Sequence, residues 1–222
     1  DFTLSNFMHS GINKICVLTQ YKSHSLNKHL VKGWSKINNE RGDFLDIIPA
    51  QQWTDKETWF QGTADAVFQS LDIIESYKPD YVIILAGDHI YNMDYGEMLA
   101  EHVNTGADFS VACMMIESER AANQFGVMSI DDTGRIIQFE EKPNEPTTIP
   151  GQKNMALVSM GVYVVSDEYL AKSLREDAIS QLSTHDFGKD IIPNGIRRGD
   201  HFHAHTFRNP TNDGAPYWRD VG

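Results

Sequence analysis

The sequence predicts an α/β domain with a mainly parallel central sheet and helices on both faces. Short β-branched apolar runs, Lys14 to Thr19, Val82 to Ala86 and Phe109 to Met114, recur along the first half of the chain. Between them lie segments of helical length with apolar residues at three- and four-residue steps, the alternation that builds a doubly wound sheet. The 222 residues, 41% hydrophobic and 23% charged, suffice for one sizeable core and are few for two. One domain over residues 1–222 is therefore expected.

Phe2, Leu4, Phe7, Met8 and Ile12 have helical spacing, and Tyr217 to Gly222 stops within a motif, so both ends are expected to be cut from something longer. Lys14 to Thr19 is a buried strand, followed by a helix capped by Ser23 or Ser25 and carrying Leu26, Leu30 and Trp34. Phe44 to Ile48 is the second strand. A polar loop through Trp59, Phe60 and Gln61 feeds a helix at Gly62-Thr63, with a core face of Ala64, Val67, Phe68, Leu71 and Ile74. Val82 to Ala86 reads as an interior parallel strand covered on both faces, stopping at Gly87-Asp88. Asp94 and Glu97 have capping-box spacing for a helix that Gly106 ends. Strand Phe109 to Met114 comes next, then a hairpin, Gly126 to Ile130 and Arg135 to Glu140, around Asp131-Asp132-Thr133-Gly134. Leu157 to Val165 is a further strand, Ser166 caps a helix, and strands at His201 to Phe207 and near Trp218 follow.

A net charge of -12 argues against phosphate-backbone binding, which needs a basic surface, so no nucleic acid is expected as a partner. No apolar run approaches membrane-spanning length, so no membrane is expected either. Cys16 and Cys113 both lie in strand-like runs, which favours a reducing cytoplasm over a disulfide framework.

Several stretches could carry chemistry. Asp88, after a strand and a Gly, is either a turn residue or an acid at the binding edge of the sheet. Gly62 precedes a helix whose free N–H groups suit an anion or a nucleobase edge, unless Thr63 is simply a cap. Pro143 is expected to force Lys142 extended, projecting its ammonium for a phosphate, with Glu141 beside it for sugar hydroxyls; a solvated charge cluster is the alternative. His185 to Asp190 is a site loop or a capped helix start. Asp220 offers a second acid for a divalent ion. His201, His203 and His205 share one strand face and are expected to be exposed polar residues rather than a metal site.

In order, PAQQ, WFQGTADAV, ILAGDHIY, FGVM, EEKP, SMGVYV, HDFGKDIIP and PYWRDVG resemble the bacterial glucose-1-phosphate adenylyltransferase (ADP-glucose pyrophosphorylase) family, over essentially the whole chain. GTADAV, LAGDH and YWRDVG are specific to that branch of the sugar nucleotidyltransferases, whereas EEKP is more widespread. The resemblance implies a Rossmann-like nucleotidyltransferase (nucleotide-diphospho-sugar transferase) fold. It implies an enzyme that joins ATP and α-D-glucose 1-phosphate to give ADP-glucose and pyrophosphate for glycogen synthesis.

By the same resemblance, Asp88 and Asp220 would hold Mg²⁺, and Lys142 would grip the phosphate of glucose 1-phosphate. Gly126, Glu141 and Ser159 would surround the sugar, and Gln52, Phe60 and Gly62 would line the adenine pocket. Many family members have Tyr at Phe60, so one polar contact is absent here. Gln20 and Trp59 match positions that the family links to activator response. The family's phosphate loop and left-handed β-helix domain are not in the sequence; the isolated polypeptide is therefore expected to be inactive, and the full-length protein a homotetramer. Alternatives are a transferase using another nucleoside triphosphate and a non-catalytic regulatory paralogue. A redox dinucleotide fold is disfavoured because no G-x-G-x-x-G opens a helix.

Overall fold

A computed structural model describes residues 1–20, 23–34, 42–50, 59–208 and 217–221. In the first part of the chain, α1 (Phe2–His9), β1 (Lys14–Thr19), α2 (His24–Gly33), β2 (Phe44–Pro49), α3 (Thr63–Phe68) and α4 (Leu71–Ser76) lead to β3 (Tyr81–Leu85) and β4 (His89–Tyr91). The middle holds α5 (Tyr95–Thr105), β5 (Phe109–Glu117), α6 (Ser118–Ala121), β6 (Val127–Ile130), β7 (Ile136–Glu140) and β8 (Met155–Ser166). The remainder is α7 (Asp167–Ala178), a π-helical turn (Phe187–Ile191), α8 (Ile192–Arg198), β9 (Phe202–Thr206) and β10 (Trp218–Asp220).

The 12-residue β8 is the axis of the fold, bonding to β3, β5 and β6, all antiparallel. Parallel pairing joins β1 to β2 and β5 to β9. β3 departs from its expected parallel, fully covered setting, because it runs antiparallel to β8 and Val82 to Leu85 are only half-buried. An apolar run reports burial, not direction, and the positions buried on both faces belong instead to β5 and β8. Along β5, Phe109, Val111 and Cys113 enter one core while Ala112, Met114 and Ile116 enter another. Helices α3, α7 and α8 cover the first core and α1, α2 and α5 the second, so helices do lie on both faces. Burying a side chain such as Phe109, stacked on Phe202 at 5.0 Å, stabilises the fold by roughly 1.5–3 kcal/mol.

Local signals acted only in part as expected: Ser23 and Ser166 stand at the N-caps of α2 and α7 without a side-chain cap bond. Asp94 Oδ1 accepts from Gly96 N at 2.8 Å and Gly106 ends α5 in the left-handed region, while Asp131 Oδ1 accepts from the N–H groups of Thr133 and Arg135 to close the hairpin. The helix expected after Gly62 is two helices. Ser70 Oγ donates to the carbonyl of Ala66 where α3 gives way to α4, and such back-bonding by serine often bends a helix. Both thiols are free; burial pushes the Cys16 thiol up to about 11 and the Cys113 thiol to about 12.

His203 is buried, a correction to the expected exposed face. The helix α5 covers β9, and Glu101 accepts from His203 Nε2 at 2.8 Å and from His205 Nδ1. Beside them His102 is 1% exposed, with Nδ1 2.8 Å from Ser110 Oγ. Its Nε2 lacks a partner among the described residues. Burial pushes its pKa down from 6.5 to about 4, with the Asp108 charge opposing and His203 and His201 adding to the fall. Between these values the unfolded chain binds more protons than the folded one, so stability falls as pH drops from about 6.5 to 4, by up to about 3 kcal/mol. His102→Gln should flatten that dependence in urea unfolding compared at pH 7 and pH 4.5. An unchanged pH dependence would remove His102 as its source.

Candidate active site

The site begins where β3 ends. After Ala86 and Gly87 the chain presents Asp88 and turns into β4, which pairs antiparallel with β10 so that Asp220 lies opposite His89. The backbone N–H of Val221 donates to the Asp88 carbonyl at 3.1 Å, closing the ribbon beside both acids. One ligand atom from each of Asp88, His89 and Asp220 lies within 4.8 Å of the others. His89 Nε2 is 3.6 Å from Asp88 Oδ1 and 3.9 Å from Asp220 Oδ2. Both carboxylates are half-exposed, whereas the imidazole is held inside, edge-on to Trp218 at 5.1 Å. Two hard oxygen donors on a half-exposed edge suit a divalent cation that keeps water and substrate oxygens among its ligands. His89 was not singled out as a site residue: its place between the carboxylates depends on the β4–β10 pairing, which its neighbours in sequence do not reveal.

Lys142 lines an open cleft of about 810 Å³ together with Asp220, Arg219, Arg120, Phe125 and Trp218. Its backbone is left-handed, φ 49, not extended as Pro143 implied. Two cross-bonds hold it there: Lys142 N donates to Phe125 O at 3.2 Å and Asn123 N to Pro143 O at 2.9 Å.

Glu141, Gly126 and Ser159 lie together. Ser159 N donates to Gly126 O at 2.8 Å, and the Ser159 hydroxyl accepts from Gly161 N at 3.1 Å. A methyl on Gly126 would sit 2.4 Å from Phe139 Cζ and 2.9 Å from Glu141 Oε2, so only glycine leaves the carboxylate its place. Burial, then the Asp186 charge, raises the Glu141 pKa against the pull of Lys142 and Lys189. Tyr163, hydrogen-bonded to Ser159, faces the same two acids. Asp186 thereby joins this cluster, and it also caps the π-helical turn by accepting from Gly188 N and Lys189 N. Of the two readings of the His185 to Asp190 stretch, the capped helix start describes it.

The start of α3 is not a free anion site. His185 O accepts from Ala64 N at 2.8 Å and from Asp65 N at 3.2 Å, using N–H groups that a ligand would need. Nor is Thr63 a cap, since its hydroxyl donates to Asp186 Oδ2 at 3.0 Å and accepts from Phe187 N. Gly62 is packed against that loop: a methyl there would meet His185 O at 2.2 Å. Phe60 is half-buried and Trp59 exposed, while Gln52 lies outside the described residues.

All of residues 1–222 match the protein-family model described as nucleotidyl transferase. The chain belongs to that family. Curated relatives of this nucleotidyl transferase include proteins named glucose-1-phosphate adenylyltransferase from Teredinibacter turnerae, 51% identical, and Thiobacillus denitrificans, 54% identical. Glucose-1-phosphate adenylyltransferase 2 from Alkalilimnicola ehrlichii is 53% identical. Each comparison covers 100% of this chain and 50–52% of the relative, so the chain spans about half the length of the curated relatives it matches. Among the described residues, no helix of the nucleotidyl transferase is long and apolar enough to cross a membrane.

Proposed function

We propose that this chain forms the catalytic domain of a glucose-1-phosphate adenylyltransferase, which converts ATP and α-D-glucose 1-phosphate into ADP-glucose and pyrophosphate for glycogen synthesis. The observation that carries this reading is the pairing of β4 with β10, which puts Asp88 beside Asp220, an acid that lines the same cleft as Lys142. Relatives bearing that name over the whole chain support ATP as the nucleotide. We place the whole protein in the cytoplasm, as an allosteric homotetramer.

In the proposed reaction a phosphate oxygen of the sugar phosphate attacks the α-phosphorus of ATP. The new P–O bond forms as the α–β anhydride bond breaks, and pyrophosphate departs with the electron pair. The nucleophile is already ionised, so no general base is required and positioning carries the chemistry. Asp88 and Asp220 would hold Mg²⁺, which offsets charge on the α-phosphate and the leaving group when bound. Lys142 would fix the sugar phosphate as a point charge, with Glu141, Ser159 and Gly126 around the sugar. Phe60 and Gly62, with Gln52, would border the adenine.

Pyrophosphate release by the whole protein with glucose 1-phosphate, compared across ATP, UTP, dTTP and GTP, tests the reading. ATP should be strongly preferred; no release with any triphosphate would support a regulatory paralogue instead. In the same assay Lys142→Ala should raise KM for glucose 1-phosphate about 10- to 100-fold while changing kcat little, the pattern of lost ground-state binding. A selective fall in kcat would move Lys142 from binding to the chemical step.

A further inference from the structure

Four non-glycine residues among those described have left-handed backbones, and two of them, Asn123 (φ 59) and Lys142 (φ 49), each donate to a carbonyl in the other's segment. Asn123 N donates to Pro143 O, next to Lys142, and Lys142 N donates to Phe125 O, two residues beyond Asn123. One residue on, Gly126 O accepts from Ser159 N. Residues 123–126 therefore lie between the Glu141-Lys142 turn and Ser159, continuing the order in which Val127 pairs with Glu140 on β7 and Val158 on β8. This segment bonds to both sides of the cluster described above. Asn123, Phe125 and Lys142 line the same cleft as Asp220.

We propose that Asn123 is a positioning residue, whose left-handed turn sets where Lys142 presents its ammonium; the proposal rests on the reading of Lys142 given above. A lysine backbone does not stay left-handed unaided, since its Cβ crowds the following carbonyl. The two cross-bonds hold it, and both depend on the chain leaving α6 through a left-handed residue at 123. Asparagine tolerates that conformation better than most side chains, glycine adopts it freely, and a β-branched residue resists it. With an extended residue at 123, Phe125 O and Asn123 N no longer face Lys142 and Pro143 together. Lys142 then relaxes toward the extended backbone that Pro143 favours, and its side chain leaves in a different direction.

The test compares Asn123→Val, Asn123→Ala, Asn123→Gly and Lys142→Ala in the whole protein, by initial rates and thermal melting. Asn123→Val, and to a lesser degree Asn123→Ala, should raise KM for glucose 1-phosphate about tenfold with kcat and KM for ATP within about twofold of wild type, as expected when only the holding of one substrate is disturbed. Asn123→Gly should restore wild-type values. Unchanged KM in the valine variant overturns the proposal, as does a joint fall of kcat, both affinities and melting temperature in the valine and alanine variants, which marks a purely structural residue. If Lys142→Ala itself leaves KM for glucose 1-phosphate unchanged, the reading of Lys142 fails and takes the proposal with it. A KM effect from Lys142→Ala but none from Asn123→Val rejects the proposal alone.

Discussion

Asp88→Asn should lower kcat about a thousandfold, the scale on which removing a group that stabilises transition-state charge is felt. The amide keeps the size and shape of the carboxylate but not its charge, and Asp220 alone would hold a divalent ion poorly beside His89. Folding should be little affected: the Asp88 side chain is 53% exposed, and its carbonyl, which accepts from Val221 N, survives the change. Apparent KM for glucose 1-phosphate should move much less than kcat, the reverse of Lys142→Ala. Asp220→Asn should resemble Asp88→Asn, and the double variant should be hardly worse than either, because residues acting as one unit are not additive. Initial rates at saturating substrate, with a thermal melt of each variant, settle the matter; near-normal kcat in Asp88→Asn would falsify the assignment.

Gly62→Ala should be the most destabilising small substitution near the site. Its methyl would be placed 2.2 Å from His185 O and 2.6 Å from Thr184 O, which are backbone atoms and cannot rotate away. His185 O is also the acceptor for Ala64 N and Asp65 N, so moving the loop breaks the start of α3. We expect a loss of about 3 kcal/mol, in the range of overpacked interiors, and a melting temperature lower by about 6–12 °C for a chain of this size. Gly87→Ala is the control. Nothing lies within 4 Å of the added methyl there and its φ is not left-handed, so the change should stay within about 1 kcal/mol. Equal stabilities for the two variants would show that the α3 start yields freely.

The strand and helix alternation, the Asp94 and Gly106 caps and the Asp131 turn were legible because each is written within a few neighbouring residues. What the sequence hid is non-local. Whether β3 runs parallel or antiparallel to its partner is decided by β8, far along the chain. His203 and His205 share a face, but only the placement of Glu101 over β9 makes that face an interior. Lys142 read as extended because Pro143 acts locally, while Phe125 O and Asn123 N, which override it, arrive from another segment. Asp88 was visible as an acid after a strand, yet two three-residue strands have no periodicity to pair them. The family motifs, rather than any pattern of spacing, joined Asp88 to Asp220.

The β4–β10 ribbon also sets an order of events. Asp88 is synthesised long before Asp220, and the nascent chain can form β5, β8 and their helices while the acid has no counterpart. The carboxylate pair comes into being only when Trp218–Asp220 docks on His89–Tyr91. Whatever free energy an ion gains there therefore also fastens β10 down. Occupancy of the pair would act as a latch on β10, and hydrogen exchange at Val221 N–H would report whether the latch is closed.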